Sequence, residues 1–267
     1  MKAYLAVLKL RLINGLQYRA AALAGIATQF FWGFLFIMIY EAFYSHTPVT
    51  PAITLKQLVS YLWLQQAFLT FIMIWFRDQE LLSLITSGNV AYELCRPADI
   101  YGLWFSKLLA QRLAAALLRC FPILIAAYLL PAPHCLIPPP GPAALGLFVV
   151  ALALGLLVLV ALSMFMYISV FVTMSPAGSL LVFATVGKFL AGMVIPLPLM
   201  PDWLQRIVYL LPFRLTADLP FRIYSGNIGV AEAWRGIGIQ WLWLAALLIL
   251  GRWTLGKVLR KVVIQGG

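Results

Sequence analysis

Arg77–Tyr101 reads RDQELLSLITSGNVAYELCRPADIY, a charged interval between long apolar blocks. Four of the eight acidic residues of the chain (Asp78, Glu80, Glu93 and Asp99) fall in it, together with Arg77 and Arg96. Asp78–Thr86 can form a short helix with Leu81, Leu82 and Ile85 on one side. Gly88 suits the left-handed position that closes a helix C-terminus. Pro97 ends the following Tyr92–Arg96 segment, because the residue before a proline is pushed out of the helical region. Two short elements bent around Gly88 are therefore expected. Set between two membrane spans, such an insertion can touch a soluble partner; a solvated loop is the plainer alternative.

The flanking blocks decide the class. Of 267 residues, 64% are hydrophobic and 10% charged, with a mean hydropathy of +0.97. Soluble domains carry about 25% charged residues, so the sequence implies an integral membrane protein. The net charge of +11 is scattered between apolar spans, which points to membrane lipids and not to nucleic acid. Cys95, Cys120 and Cys135 are far apart and odd in number, so no disulfide and no metal site is expected. No short apolar core with a small-residue cleavage site marks a signal peptide.

In chain order, residues 1–19 place Leu5, Leu8, Leu12 and Leu16 at helical spacing, with Lys9, Arg11, Asn14 and Gln17 over the remaining surface. That pattern suits an amphipathic helix in the membrane interface. Since about 20 apolar residues cross the hydrocarbon, six spans are expected. They are Ala20–Phe43, Leu58–Phe76, Leu103–Leu130, Ala143–Val172, Ser179–Ile195 and one anchored by Trp241–Leu255 that can begin near Gly236. Lys107 and Arg112 can snorkel to the near interface. Arg119 and Lys188 lie deeper as intramembrane charges and need protein or water partners. Glu41 stands alone at the end of the first span. Residues 196–235 are apolar but broken by Pro196, Pro198, Pro201, Pro212 and Pro220. Asp202 can cap a short helix there with Gln205 completing the box. Such proline-broken pieces read as re-entrant elements buried against protein, or as a plain amphipathic surface helix.

With both termini on one side, that side carries twelve basic residues and the other five. The positive-inside rule then puts both termini and the Arg77–Tyr101 insertion in the cytoplasm. Catalytic chemistry has little to draw on. His46 and His134 both fall in expected external loops. Gly251–Lys257 matches G-x-x-x-x-G-K, but Val258 replaces the Ser/Thr that would hold magnesium, and a membrane helix is the wrong context. No catalytic, cofactor or metal residue is assigned, and the chain is read as no enzyme.

ITSGNVAYELCRPADIY (85–101) and IPLPLMPDWLQRIVYLLPFRLTADLPFRIYSG (195–226) together resemble the ABC-2 type permeases of bacteria, in particular the six-span, viologen-exporter-like group. The resemblance runs over the whole length as one permease domain, 1–267. It implies an all-α inner-membrane subunit of an ATP-driven exporter, with six transmembrane helices, an N-terminal interfacial helix, a cytoplasmic coupling insertion at 77–101 and short re-entrant helices at 196–235. A second permease chain, often a different one, would complete the path, and separate cytosolic ATPase subunits would bind MgATP. Coupling to the ATPase would fall to Glu80, Gly88, Tyr92, Glu93, Leu94, Arg96 and Pro97. Glu80, Glu93 and Arg96 would orient the partner, and Tyr92 and Leu94 would anchor it. Pro201, Trp203, Leu204, Val208 and Pro212 would form an external gate. The alternatives are a membrane-embedded lipid-modifying enzyme and a secondary transporter. Against the first stands the lack of His and carboxylate constellations. Against the second stands the lack of an internal repeat and of buried acids.

Overall fold

The computed structural model describes residues 2–17, 19–46 and 52–260. Residues 47–51 of the expected external loop at 45–54 and the basic residue Lys261 lie outside the described residues, as do the side chains of Lys2 and Arg19. Every regular element among the described residues is helical. The first half comprises α1 (Lys2–Gly15), α2 (Arg19–His46), α3 (Leu55–Ala67), α4 (Leu69–Ile72), α5 (Gln79–Thr86), α6 (Val90–Leu94), α7 (Ile100–Leu117) and α8 (Cys120–Leu129). The second half comprises α9 (Pro142–Thr173), α10 (Pro176–Leu190), α11 (Asp202–Tyr209), α12 (Asp218–Tyr224) and α13 (Val230–Leu259), with 3₁₀ turns at Leu197–Leu199 and Phe213–Thr216.

Four stretches are long and apolar enough to cross a membrane: Ala22–His46, Ile100–Leu129, Pro142–Thr173 and Val230–Leu259. They match the first, third, fourth and sixth expected spans, and α13 begins earlier than expected. The 32-residue α9 is the central post. Val158, Leu159, Val160 and Ala161 are inaccessible, as a helix surrounded on all sides requires.

The remaining two expected spans are shorter than the sequence suggests. Leu58–Phe76 is not one helix: α3 ends at Ala67, Phe68 leaves helical geometry, and after α4 the chain is extended at Met73. At 13 residues, α3 is about 20 Å long, against about 30 Å of hydrocarbon. Its start carries a capping box, with Thr54 Oγ1 accepting from Gln57 N at 3.3 Å and Thr54 N donating to Gln57 Oε1 at 3.1 Å. Likewise α10 stops at Leu190, short of Ile195, and the chain turns through Gly192 at φ 78°. The carbonyls freed there accept from Tyr61 Oη (Gly192 O, 3.3 Å) and Gln65 Nε2 (Met193 O, 2.8 Å). The third span is also interrupted, between Leu117 and Cys120. Pro122 explains the break: it has no N–H, and its ring would clash with the carbonyl of Leu118.

Two further expectations change. Helix α1 runs alongside α7 in the same direction, with Tyr4 against Gly102 and Gly15 against Ala114. Leu8, Leu12 and Leu16 are partly covered and Leu5, Leu10 and Ile13 are exposed. Asp202 is not the cap of α11. Pro201 holds that position, and Gln205 Nε2 turns back to Met200 O at 2.8 Å.

The proline-broken region packs deep. A Cβ on Gly155 would lie 2.9 Å from Leu215 O, so the backbone of the second 3₁₀ turn rests directly on α9. Gly155 is 13 residues into α9, about 20 Å along it. Gln240 Nε2 on α13 donates to both Ala151 O and Leu215 O at 2.8 Å, tying α9, the turn and α13 at one level. Phe221 on α12 then meets Tyr61 on α3 edge-on, with ring centroids 5.5 Å apart.

Candidate functional site

The charged interval folds as two helices on a common base. Asp78 caps α5 through its Oδ1, which accepts from Glu80 N at 2.9 Å and Leu81 N at 3.2 Å. Its own N–H donates to Tyr167 Oη on α9 at 2.8 Å. Leu81, Leu82 and Ile85 turn inward, with Val90 from α6, to meet Trp104 on α7 and Met164 and Tyr167 on α9. Helix α5 closes at Ser87, and Gly88 follows at φ 75° with open space where a Cβ would be. The constraint at 88 is thus purely one of backbone geometry. Asp99 caps α7, its Oδ2 accepting from Gly102 N at 2.8 Å, and its own N–H donates to Tyr4 Oη at 3.0 Å.

A ladder of alternating charges fastens this pair of helices to the rest. Arg11 on α1 donates to Glu80 Oε2 on α5. Lys107 Nζ on α7 lies 3.3 Å from Glu80 Oε1 and 2.7 Å from Glu93 Oε1 on α6. Trp104 Nε1 donates to Glu93 Oε2. Burial alone would raise the Glu80 pKa, but the Arg11 hydrogen bond and the Lys107 charge outweigh it and hold the carboxyl below its ordinary value. Three consecutive helices (α5, α6 and α7) and the sequence-distant α1 therefore meet through five side chains.

Beneath the ladder, Arg112 is fully buried. Its guanidinium donates to Thr70 O at 3.3 Å, Met73 O, Phe76 O at 3.3 Å and Ser163 Oγ at 2.9 Å. These carbonyls are the ones released where the second span stops being helical. A single rigid fork replaces the missing helix donors in a dry interior.

The expected coupling residues divide accordingly. Glu93 is inward-facing and only 5% exposed, so its charge serves Lys107 and Trp104. Lys107, expected to snorkel, is 6% exposed, and Arg112 does not reach an interface at all. Glu80 keeps an exposed edge while bound to Arg11 and Lys107. Tyr92, Leu94, Arg96 and Pro97 are exposed together on and just after α6, Tyr92 to 73%. Composition could not separate these two groups. Helical spacing could have, because Glu93 lies three residues after Val90 and so shares its inward face.

Of the expected external gate, Val208 and Pro212 are buried, Leu204 is partly covered, and Pro201 and Trp203 are exposed. Val208 packs with Leu197 and Met200. Beside it, Arg222 Nη1 lies 3.5 Å from the inaccessible Asp218 carboxylate and donates to Tyr209 Oη at 2.6 Å. Lys188 is exposed on α10, with Nζ 5.5 Å from the Trp75 ring centroid. Trp32, Phe36, Gln65 and Gln66 join them around a cleft of about 280 Å³. Glu41 is not alone, since His134 Nε2 lies 3.2 Å from its Oε2. Among the described residues, no group of three or more His, Cys, Asp or Glu is placed to hold a metal ion.

Compared with known proteins, the chain matches no family model, and no curated protein or solved structure is detectably similar to it.

Proposed function

We propose that this chain is the transmembrane permease subunit of an ATP-driven exporter in the bacterial inner membrane, paired with a second permease and driven by separate cytosolic ATPase subunits. The observation that carries the reading is the insertion itself. Two short helices are braced rigidly on α7 and α9 and carry an exposed apolar tip at Tyr92 and Leu94. A solvated loop needs no buried ion ladder. A lever needs one, because force applied at its tip must reach the spans without bending the arm. In this reading Tyr92 and Leu94 enter the ATPase, Arg96 and Pro97 border the contact, Gly88 sets the angle between the two helices, and Glu80 and Glu93 hold the arm to Lys107.

Six crossings fit the same architecture if α3 with α4, and α10, each combine with their non-helical extensions. The carbonyl capping by Arg112, Tyr61 and Gln65 supports this, because irregular backbone at membrane depth must be satisfied by protein. The packing of Leu215 against mid-α9 supports a re-entrant external closure. Both termini and Gly88 would be cytoplasmic, and His134 and Ser225 external. Affinity purification in mild detergent followed by an ATPase assay tests the function. A co-eluting soluble chain that hydrolyses ATP, and is lost in Tyr92→Ala and Leu94→Asp, is the expected result. External labelling of a cysteine placed at position 88 in a Cys-free background would overturn the orientation and the docking together.

A further inference from the structure

Where α1, α2 and the α7–α8 break converge lies a cavity of about 430 Å³. Arg11, Asn14, Ala22, Phe76, Gln111 and Arg119 contribute to its wall, which contains no carboxylate among the described residues. The Arg119 guanidinium lies across α2 at Gly25, where a Cβ would sit 2.7 Å from Cζ. Among the described residues the Arg119 side chain makes no hydrogen bond or ion pair, and its Nε is buried without an acceptor. Gln111 Oε1 is likewise buried and unpartnered. Arg11 is held from outside the cavity by Glu80, which leaves Arg119 as the uncompensated charge among the described side chains that line it. Ala22, on the first turn of the 28-residue α2, brings the positive end of that helix dipole to the cavity.

Neighbouring positions of the chain are apolar and exposed. Leu23, next to Ala22, is 68% exposed, and Leu117 and Phe121, on either side of Arg119, are 44% and 58% exposed. Gly25 lies six residues beyond the start of α2 at Arg19, about 9 Å along it. A cationic recess with Phe76, Ala115 and Leu118 in its wall, in a chain that bares Leu23, Leu117 and Phe121, matches an amphiphile whose charged end is a phosphate.

We propose that this recess binds the phosphodiester headgroup of an anionic membrane lipid. Arg119 provides the fork for the phosphate oxygens, the positive end of the α2 dipole favours their charge, and Gln111 Oε1 accepts from a headgroup hydroxyl. The acyl chains run along Leu23, Leu117 and Phe121. The lipid then fills the joint between α1 and the first and third spans, on the side of the molecule that carries the charged insertion. Neither the bound lipid nor its site depends on the exporter reading.

The test uses the full chain, purified in a mild detergent and freed of lipid. Phosphatidylglycerol, phosphatidylcholine and inorganic phosphate are titrated separately, with melting temperature and adducts in native mass spectrometry as readouts. Phosphatidylglycerol should leave one retained adduct and raise the melting temperature, while the other two leave both unchanged. Arg119→Gln should weaken half-saturation about tenfold, the loss of one charge-assisted hydrogen bond, and Arg119→Lys should fall between. Gly25→Ala displaces only the end of a flexible side chain and should weaken binding similarly, which keeps the test decisive if Arg119→Gln does not fold. Equal affinity for phosphatidylcholine, or unchanged phosphatidylglycerol binding in Gly25→Ala, overturns the proposal. Equal stabilisation by inorganic phosphate makes this a free-anion site and overturns the lipid assignment.

Discussion

Removing Glu93 is the perturbation most informative about the arm. Its carboxylate and the Lys107 ammonium are 5% and 7% exposed and 2.7 Å apart. At an effective dielectric of about 20, that separation gives about 6 kcal/mol of gross attraction, most of which offsets the desolvation of both ions. Deleting one partner leaves the other ion uncompensated, at about 3–5 kcal/mol. Glu93→Ala should sit near about 3 kcal/mol, the low end of that range, because Lys107 keeps Glu80 at 3.3 Å. Lys107→Ala should sit near about 5 kcal/mol, the high end, since Glu93 then retains only Trp104. Glu80→Ala, at a site 49% exposed, should fall below about 1 kcal/mol. The double variant Glu93→Leu/Lys107→Met, which removes both charges and keeps the volume, should recover most of the loss. Reversible unfolding in mixed micelles measures all four. If Glu93→Ala is no worse than Glu80→Ala, or the double variant no better than the worse single one, the buried pair does not brace the insertion.

Other outcomes follow from the same geometry. Arg112→Met leaves four acceptors on three segments without their donor and should destabilise by at least about 3 kcal/mol, with faster amide exchange at residues 70–78; near-wild-type exchange there would refute the capping role. Gly88→Val should lose about 1–2 kcal/mol from left-handed backbone strain alone, whereas Gly88→Asn should lose less, both read as melting temperatures. Leu94→Asp should change stability by under about 0.5 kcal/mol yet abolish ATPase co-purification. The Glu80 carboxyl titrates below its ordinary value of 4.5, so the stability it provides is present above that pH and is lost as the pH falls through the lowered folded-state value. The melting-temperature gap between wild type and Glu80→Gln should therefore shrink between pH 5 and pH 3; a constant gap would show that the carboxylate's charge does not matter.

Local rules carried the reading of the insertion well. Asp78 as an N-cap, Gly88 as a left-handed closure and Leu81, Leu82 and Ile85 as an inward face all depend on a few neighbouring residues, and all appear in the structure. The long apolar blocks at α2, α9 and α13 were legible because length and hydropathy alone define a crossing helix. The breaks at Phe68 and Leu118 were not. An interrupted helix in an apolar run is stabilised by whatever reaches the freed carbonyls, and the donor to Thr70 and Phe76 is Arg112, 36 or more positions away. The same long-range pairing turned Lys107 and Arg112 from surface cations into buried partners, and turned Glu93 from a docking contact into a brace. Pro122 was a local signal for the second break and could have been used.

The central claim is that the tip of the insertion meets a cytosolic ATPase, and a photo-crosslinking residue at position 92 tests it most directly. Irradiated in living cells, Tyr92 replaced by the crosslinker should capture one soluble nucleotide-binding chain. That chain should hydrolyse ATP when purified with this protein, and the same crosslinker at Trp203 should not capture it. Crosslinks from position 92 only to lipid, to an external protein or to nothing would contradict the account.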